Sequence, residues 1–217
     1  MAEGTSTITA AVGSVTAAIS VTVAEGSATY DVVSESVWSA ATHPTDFPSN
    51  PHFSGLIGGT HASGVTFWAA GSTTSLGMRD MAERGSKGFL TSEVEAAIQA
   101  GSAAALLSGG GISPSPGSVQ VAFSITVQHP LLTLVSMIAP SPDWFVGVSG
   151  LALFEEGVWA DEVVVQLLAY DDGTDSGTTF TSGNAVTDPA SAIARLETSP
   201  FATSVLMGTF TFTRTGN

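Results

Sequence analysis

The chain contains no cysteine. No disulfide framework can hold it, so the core must supply the stability, and redox chemistry does not reveal the compartment. Positive charge is scarce: 5 Lys and Arg stand against 19 Asp and Glu, a formal net charge of −14. A surface so acidic excludes a general binder of nucleic acid or anionic membrane, because either needs basic side chains. Not one Lys or Arg occurs from Gly88 to Ala194. Long hydrophobic runs are missing too. The most apolar run, Leu131 to Ala139, is strand-sized and far too short to span a bilayer. The N-terminus has no basic region followed by an apolar one. The start Met1-Ala2-Glu3-Gly4 reads as a mature terminus preceded by an added Met. A removed signal peptide, and hence secretion, is the expectation.

What is present suits a globular protein rich in strands and turns: 217 residues, 43% hydrophobic, with 24 Gly and 10 Pro. Residues 5–23 are Thr, Ser, Ala, Val and Ile in strand-like alternation, broken by Gly13, and predict a hairpin or two strand pieces. They form an N-terminal extension, 1–27, ahead of a domain at 28–217. Such an uncharged strand needs a partner. It either adds to the edge of its own sheet or pairs with a neighbouring subunit, and the second route builds an oligomer or filament.

Ala28 to Trp38 predicts a strand, and His43 to Gly59 a loop rich in Pro and Gly. Val65 to Ala69 predicts a short strand. Met78, Met81 and Ala82 predict a short helix ended by Gly85. Ser92 and Glu95 read as a capping box opening a helix over 93–107. Strict alternation follows at Val121, Phe123, Ile125 and Val127, then strands over 132–138, 144–153, 163–168, 178–181 and 205–213. Strands at this spacing predict an all-β chain, an antiparallel β-sandwich with one or two short helical insertions.

One stretch concentrates the chemistry. Ser141-Pro142-Asp143-Trp144 holds an aspartate at a corner, and Tyr170-Asp171-Asp172-Gly173-Thr174-Asp175-Ser176-Gly177 sets three more on a glycine-punctuated loop after a strand. A carboxylate loop without basic partners suits a hard cation; it also suits a solvated acidic turn. It is not an EF-hand, because counting from Asp171 puts Ser176 and Ser182 where Gly and Glu are required. His43, His52 and His61 are nine residues apart, a spacing that suits loop-bracing hydrogen bonds better than zinc. Gly147-Val148-Ser149-Gly150-Leu151 lacks the last glycine of a nucleophile elbow, and no catalytic triad can be assembled, so no enzyme is expected. Trp159, between Gly157 and Asp161, reads as the most exposed tryptophan and the best platform for a glycan.

The S-P-D-W-F-V-G-V run and the Y-D-x-G-T-D-S-G loop resemble the spondin domain, the N-terminal module of F-spondin and mindin. Residues 28–61, Phe67-Trp68, Gly77-Met78 and Ala82-Glu83-Arg84-Gly85 continue the resemblance, which spans roughly 28 to 213. It implies a C2-like β-sandwich and a secreted, non-enzymatic protein of extracellular-matrix adhesion, with cell-surface proteins or glycans as partners. It also implies calcium. The two aspartate ligands of that family fall on Asp143 and Asp171, and a main-chain carbonyl ligand near Ala139. A glutamate ligand of some members falls on Ser124, a poorer ligand, and Asp175 or a water could fill the gap. Animal spondin domains carry disulfides; here Phe154 stands where a cysteine is common, so that staple is missing.

Overall fold

The computed structural model describes residues 4–23, 26–201 and 205–216. Among these residues, fifteen strands and two helices follow in chain order. The first strands are β1 (Gly4–Val12), β2 (Val15–Val23), β3 (Ser27–Ser36), β4 (His52–Phe53) and β5 (Ile57–His61). Then come α1 (Leu76–Arg84), α2 (Gly88–Gln99), β6 (Ala103–Ser108), β7 (Gly117–Thr126), β8 (Leu131–Ala139) and β9 (Trp144–Ala152). The chain ends with β10 (Phe154–Glu155), β11 (Val158–Trp159), β12 (Glu162–Leu167), β13 (Tyr170–Asp171), β14 (Ala194–Arg195) and β15 (Gly208–Gly216).

Two antiparallel sheets form the sandwich. One has the order β12-β15-β3-β7; the other runs β14-β13-β9-β8-β5-β6, with β4 also on β8. Alternation drives the pairing. Tyr30 and Val32 of β3, Phe123 and Ile125 of β7, and Phe210 and Phe212 of β15 point into the core, while their neighbours face water. Strand β8 is buried from Leu132 to Ala139, because helices cover its second face. Helix α1 supplies Met78, Met81 and Ala82 to that layer. Ser75 caps it by accepting from the Met78 amide at 3.1 Å, and Gly85 ends it at φ 65°.

Several expectations fail here. Residues 57–59, expected at the end of a loop, belong to the fully buried β5. Its glycines serve close packing: a Cβ on Gly58 would lie 1.9 Å from the Thr133 carbonyl oxygen, and one on Gly59 2.8 Å from Val94. The helix expected over 93–107 begins at Gly88 and ends at Gln99. Ser92 lies inside it and donates to the Gly88 carbonyl, so there is no capping box. Gly101, at φ 73°, turns the chain, and Ala103–Ser108 pair with β5 instead. Tertiary pairing overrides the helical propensity of Ala and Leu there. Neither 65–69 nor 178–181 is a strand.

Among the described residues, β1 and β2 pair only with each other. β1 and β2 form a separate two-stranded hairpin in register Ile8↔Ile19, turning at Gly13 with φ 62°. It adds no strand to its own sandwich, as one of the two expected outcomes required.

Candidate metal centre

The corner between β8 and β9 is built by local hydrogen bonds. The Trp144 amide donates to Ser141 Oγ at 3.1 Å, which tightens the turn around Asp143. Strand β13 then pairs with the start of β9, Asp171 opposite Trp144 and Tyr170 opposite Phe145. That register brings the loop after β13 against the corner, where the Asp172 amide donates to the Asp143 carbonyl oxygen at 3.1 Å. Gly173 makes the turn at φ 81°, and a Cβ there would meet the Ser191 carbonyl oxygen at 2.4 Å.

Asp143 is completely buried. Its Oδ2 accepts from the Thr174 amide at 2.7 Å, the Asp175 amide at 3.0 Å and the Thr174 hydroxyl at 3.2 Å. Its Oδ1 is buried with no hydrogen-bond partner. Asp171 accepts from the Gly173 amide at 2.8 Å and from Trp144 Nε1 at 3.2 Å. Asp172, also completely buried, accepts from the Thr74 hydroxyl at 2.8 Å through Oδ1, while its Oδ2 has no partner. Burial pushes the Asp143 carboxyl up to about 6, and the Asp171 charge adds to this against the amides of Thr174 and Asp175. Burial likewise raises Asp171, with a contribution from Asp175. Asp172 is pushed up to about 8 by burial, with Asp143, Asp171 and Glu83 adding repulsion against its Thr74 bond.

No Lys or Arg is among the charges that act on Asp143, Asp171 or Asp172. All five basic residues are engaged elsewhere. Arg79 pairs with Glu83 at 2.9 Å, Arg84 with Asp80, Arg195 with Glu197 at 3.5 Å, and Arg214 with Asp161 at 2.8 Å. Lys87 donates to Ser108 and the Gly109 carbonyl. Two buried carboxylate oxygens without donors therefore sit in an uncompensated cluster, an arrangement costly unless a cation or proton completes it. Calcium fits the donor chemistry, since it takes carboxylate and main-chain oxygens. Among the described residues no three Asp, Glu, His or Cys side chains stand together as a ligand group. A bound ion would thus rest on Asp143 and Asp171 with carbonyls and water completing its shell.

The other expected ligands divide. Ala139 ends β8, four residues before Asp143. Asp175 spends both oxygens on its own loop, accepting from the amides of Gly177 at 2.7 Å and Ala185 at 2.9 Å. Ser124 is exposed on the outer face of β7, in the sheet opposite the corner, and is not brought to the cluster. Asp172 was missing from the expected ligand set. Its only signal was its place in the acidic loop; the Thr74 partner lies 98 residues away. Trp159, expected to be exposed, is 3% exposed and packs on Phe154 at 4.7 Å and Tyr30 at 6.4 Å. The hairpin β10–β11 folds it onto the core, so its ring offers no platform. The histidines brace loops: His43 contacts Thr42 Oγ1, His52 the Asn50 carbonyl, and His61 both the Ala62 carbonyl and Thr133 Oγ1.

An antiparallel sandwich with helices on one sheet and a buried acidic corner at the β8–β9 turn defines the class. The comparisons give its family. The spondin N-terminal domain model, Spondin_N, matches residues 28–205, and the chain belongs to that family. It is 35% identical to Spondin-2 of Rattus norvegicus over 184 residues, covering 83% of this chain and 56% of that protein. It is 35% identical to Spondin-2 of Homo sapiens over 176 residues, covering 79% and 53%. It is 35% identical to Spondin-1 of Rattus norvegicus over 179 residues, covering 79% of this chain and 22% of that protein. The chain therefore spans about half the length of the Spondin-2 proteins and under a quarter of Spondin-1. No helix among the described residues is long and apolar enough to cross a membrane.

Proposed function

We propose that this chain is a secreted, non-enzymatic adhesion module of an extracellular matrix whose functional edge is stapled by calcium. The observation that carries the calcium reading is Asp143 Oδ1, a buried carboxylate oxygen with no donor, beside Asp171 and with no Lys or Arg among the charges that act on it. The ion's role would be mechanical. It would tie the β8–β9 corner to the loop after β13, two segments 28 residues apart (171 − 143 = 28) in sequence. In the extracellular space, where calcium is plentiful, such a staple takes over part of the work of the absent disulfide. The adhesive role is supported by family membership, and its partners are cell-surface proteins or glycans. A polar cleft of about 280 Å³ beside the corner, lined by Glu83, Arg84, Ser141, Asp175 and Asn184 among others, is the surface the ion would shape.

The test immobilises the protein and measures binding of cells and of a glycan array, with calcium and with chelator. Calcium-dependent capture that Asp143→Asn abolishes supports both halves of the reading. Capture unaffected by chelator separates adhesion from calcium, and absence of capture removes the adhesive role.

A further inference from the structure

The sandwich is open along one side. Among the described residues, strand β12 is an edge of its sheet, bonded to β15 only. In the opposite sheet β13 pairs with β9 only at Trp144 and Phe145, which leaves the β9 edge from Val146 to Ala152 without a strand partner among the described residues. Between these two edges lies a cleft of about 420 Å³ walled by Val148, Leu151, Val165, Leu168, Trp68 and Tyr170. None of its lining residues carries a charge. Unpaired edges with apolar walls are a site for an extended strand, whose main chain bonds the edge while alternate side chains fill the cleft.

The same chain carries a segment of that chemistry. The hairpin β1–β2 has no charge from Thr5 to Val23. Every side chain from Thr7 to Ser20 is exposed, including Ile8 at 60%, Val12 at 83%, Val15 at 71% and Ile19 at 62%. An isolated two-stranded hairpin is marginal in water and gains stability from a third strand or a packed face. Its nine-residue strands are long enough to cover the six residues of β12. It leaves the domain from β3, an inner strand flanked by β15 and β7, and not from either cleft edge. On a molecule of net charge −14, copies repel except where both surfaces are uncharged, and the hairpin and cleft are such a pair.

We propose that the seam between β9 and β12 is the docking site for the N-terminal hairpin of a second copy of this chain. The contact is head-to-tail: each copy offers a hairpin and a cleft, so copies add in a row.

The test uses two full-length variants. Ile8→Lys/Ile19→Lys charges the hairpin and leaves the cleft intact. Leu151→Arg/Gln166→Arg blocks the cleft and leaves the hairpin intact. Light scattering and electron microscopy should show concentration-dependent oligomers for the wild type, and at least tenfold weaker association for each variant alone. Mixed together, the two variants should form a capped one-to-one heterodimer, because one intact hairpin meets one intact cleft. If Leu151→Arg unfolds the chain, Gln166→Arg alone, on an exposed side chain, serves as the cleft variant. A wild type that is monomeric at all concentrations overturns the proposal. So does a variant that associates like the wild type, or a mixture that yields no heterodimer. A monomeric wild type that loses thermal stability on charging the hairpin would mean that each chain seats its own hairpin, which also overturns it.

Discussion

Asp143→Asn should have opposite effects with and without calcium. In the metal-free fold the Asp143 carboxyl is fully buried and its pKa stands at about 6, against an ordinary 3.8. Two pH units correspond to about 3 kcal/mol of disfavoured ionisation at pH 8, taken as an upper bound. The sign follows from proton binding. Between about pH 4 and pH 6 the metal-free fold holds more protons at this site than the unfolded chain, so its contribution to stability is lost as pH rises through that window. Asparagine carries no charge to disfavour. Its amide oxygen can still accept from the Thr174 and Asp175 amides, and its NH₂ can face the neighbouring carboxylates. In chelator at pH 8, Asp143→Asn should therefore raise the melting temperature, by at most roughly 6–12 °C at 2–4 °C per kcal/mol. With calcium at a thousandfold its dissociation constant, the wild type gains about 4.1 kcal/mol and the variant gains little, so the order reverses. Differential scanning fluorimetry of both proteins in both buffers reads all four values. A variant less stable than the wild type in chelator, with an equal calcium response, would refute the reasoning.

Other outcomes follow from the same geometry. The chelator-induced fall in melting temperature should be large at pH 8 and vanish near pH 5, because Asp143, Asp171 and Asp172 all have raised pKa values and take protons in place of the ion; a pH-independent response would count against the site. Trp159→Ala should cost about 3–5 kcal/mol in denaturant melts by emptying a core position, and should leave any glycan binding by the folded fraction unchanged. Gly173→Ala should cost at least about 1–2 kcal/mol from its left-handed backbone alone, and should weaken the calcium response by displacing the loop from Ser191.

Much of the sandwich was legible because the outer strands alternate. Val121 to Val127 and Leu206 to Thr213 announce one buried face each, and those strands formed close to where they were read. Strand β5 was hidden because Gly58 and Gly59 read as turn residues, while their purpose is close approach to Thr133 and Val94. Strand β6 was hidden because Ala103–Ser108 has no β-branched residue and takes its conformation from pairing with β5. At the site, the proline corner and the aspartate loop drew attention to Asp143 and Asp171, whose segments the fold brings together. Asp172 did not stand out, since its burial comes from Thr74 and the distant helix α1. Trp159 was misread because its neighbours Asp161 and Glu162 are exposed, while the β10–β11 hairpin turns the ring inward.

Terbium luminescence tests the central claim most directly. Trp144 Nε1 lies 3.2 Å from Asp171, so a lanthanide held by Asp143 and Asp171 would be excited through that indole. Titrating metal-stripped protein with terbium should give sensitised emission that saturates at one ion per chain. Calcium should displace it, and Asp143→Asn should abolish it. A folded wild-type protein that gives no sensitised emission, and whose melting curve is the same in calcium and in chelator, would contradict the account.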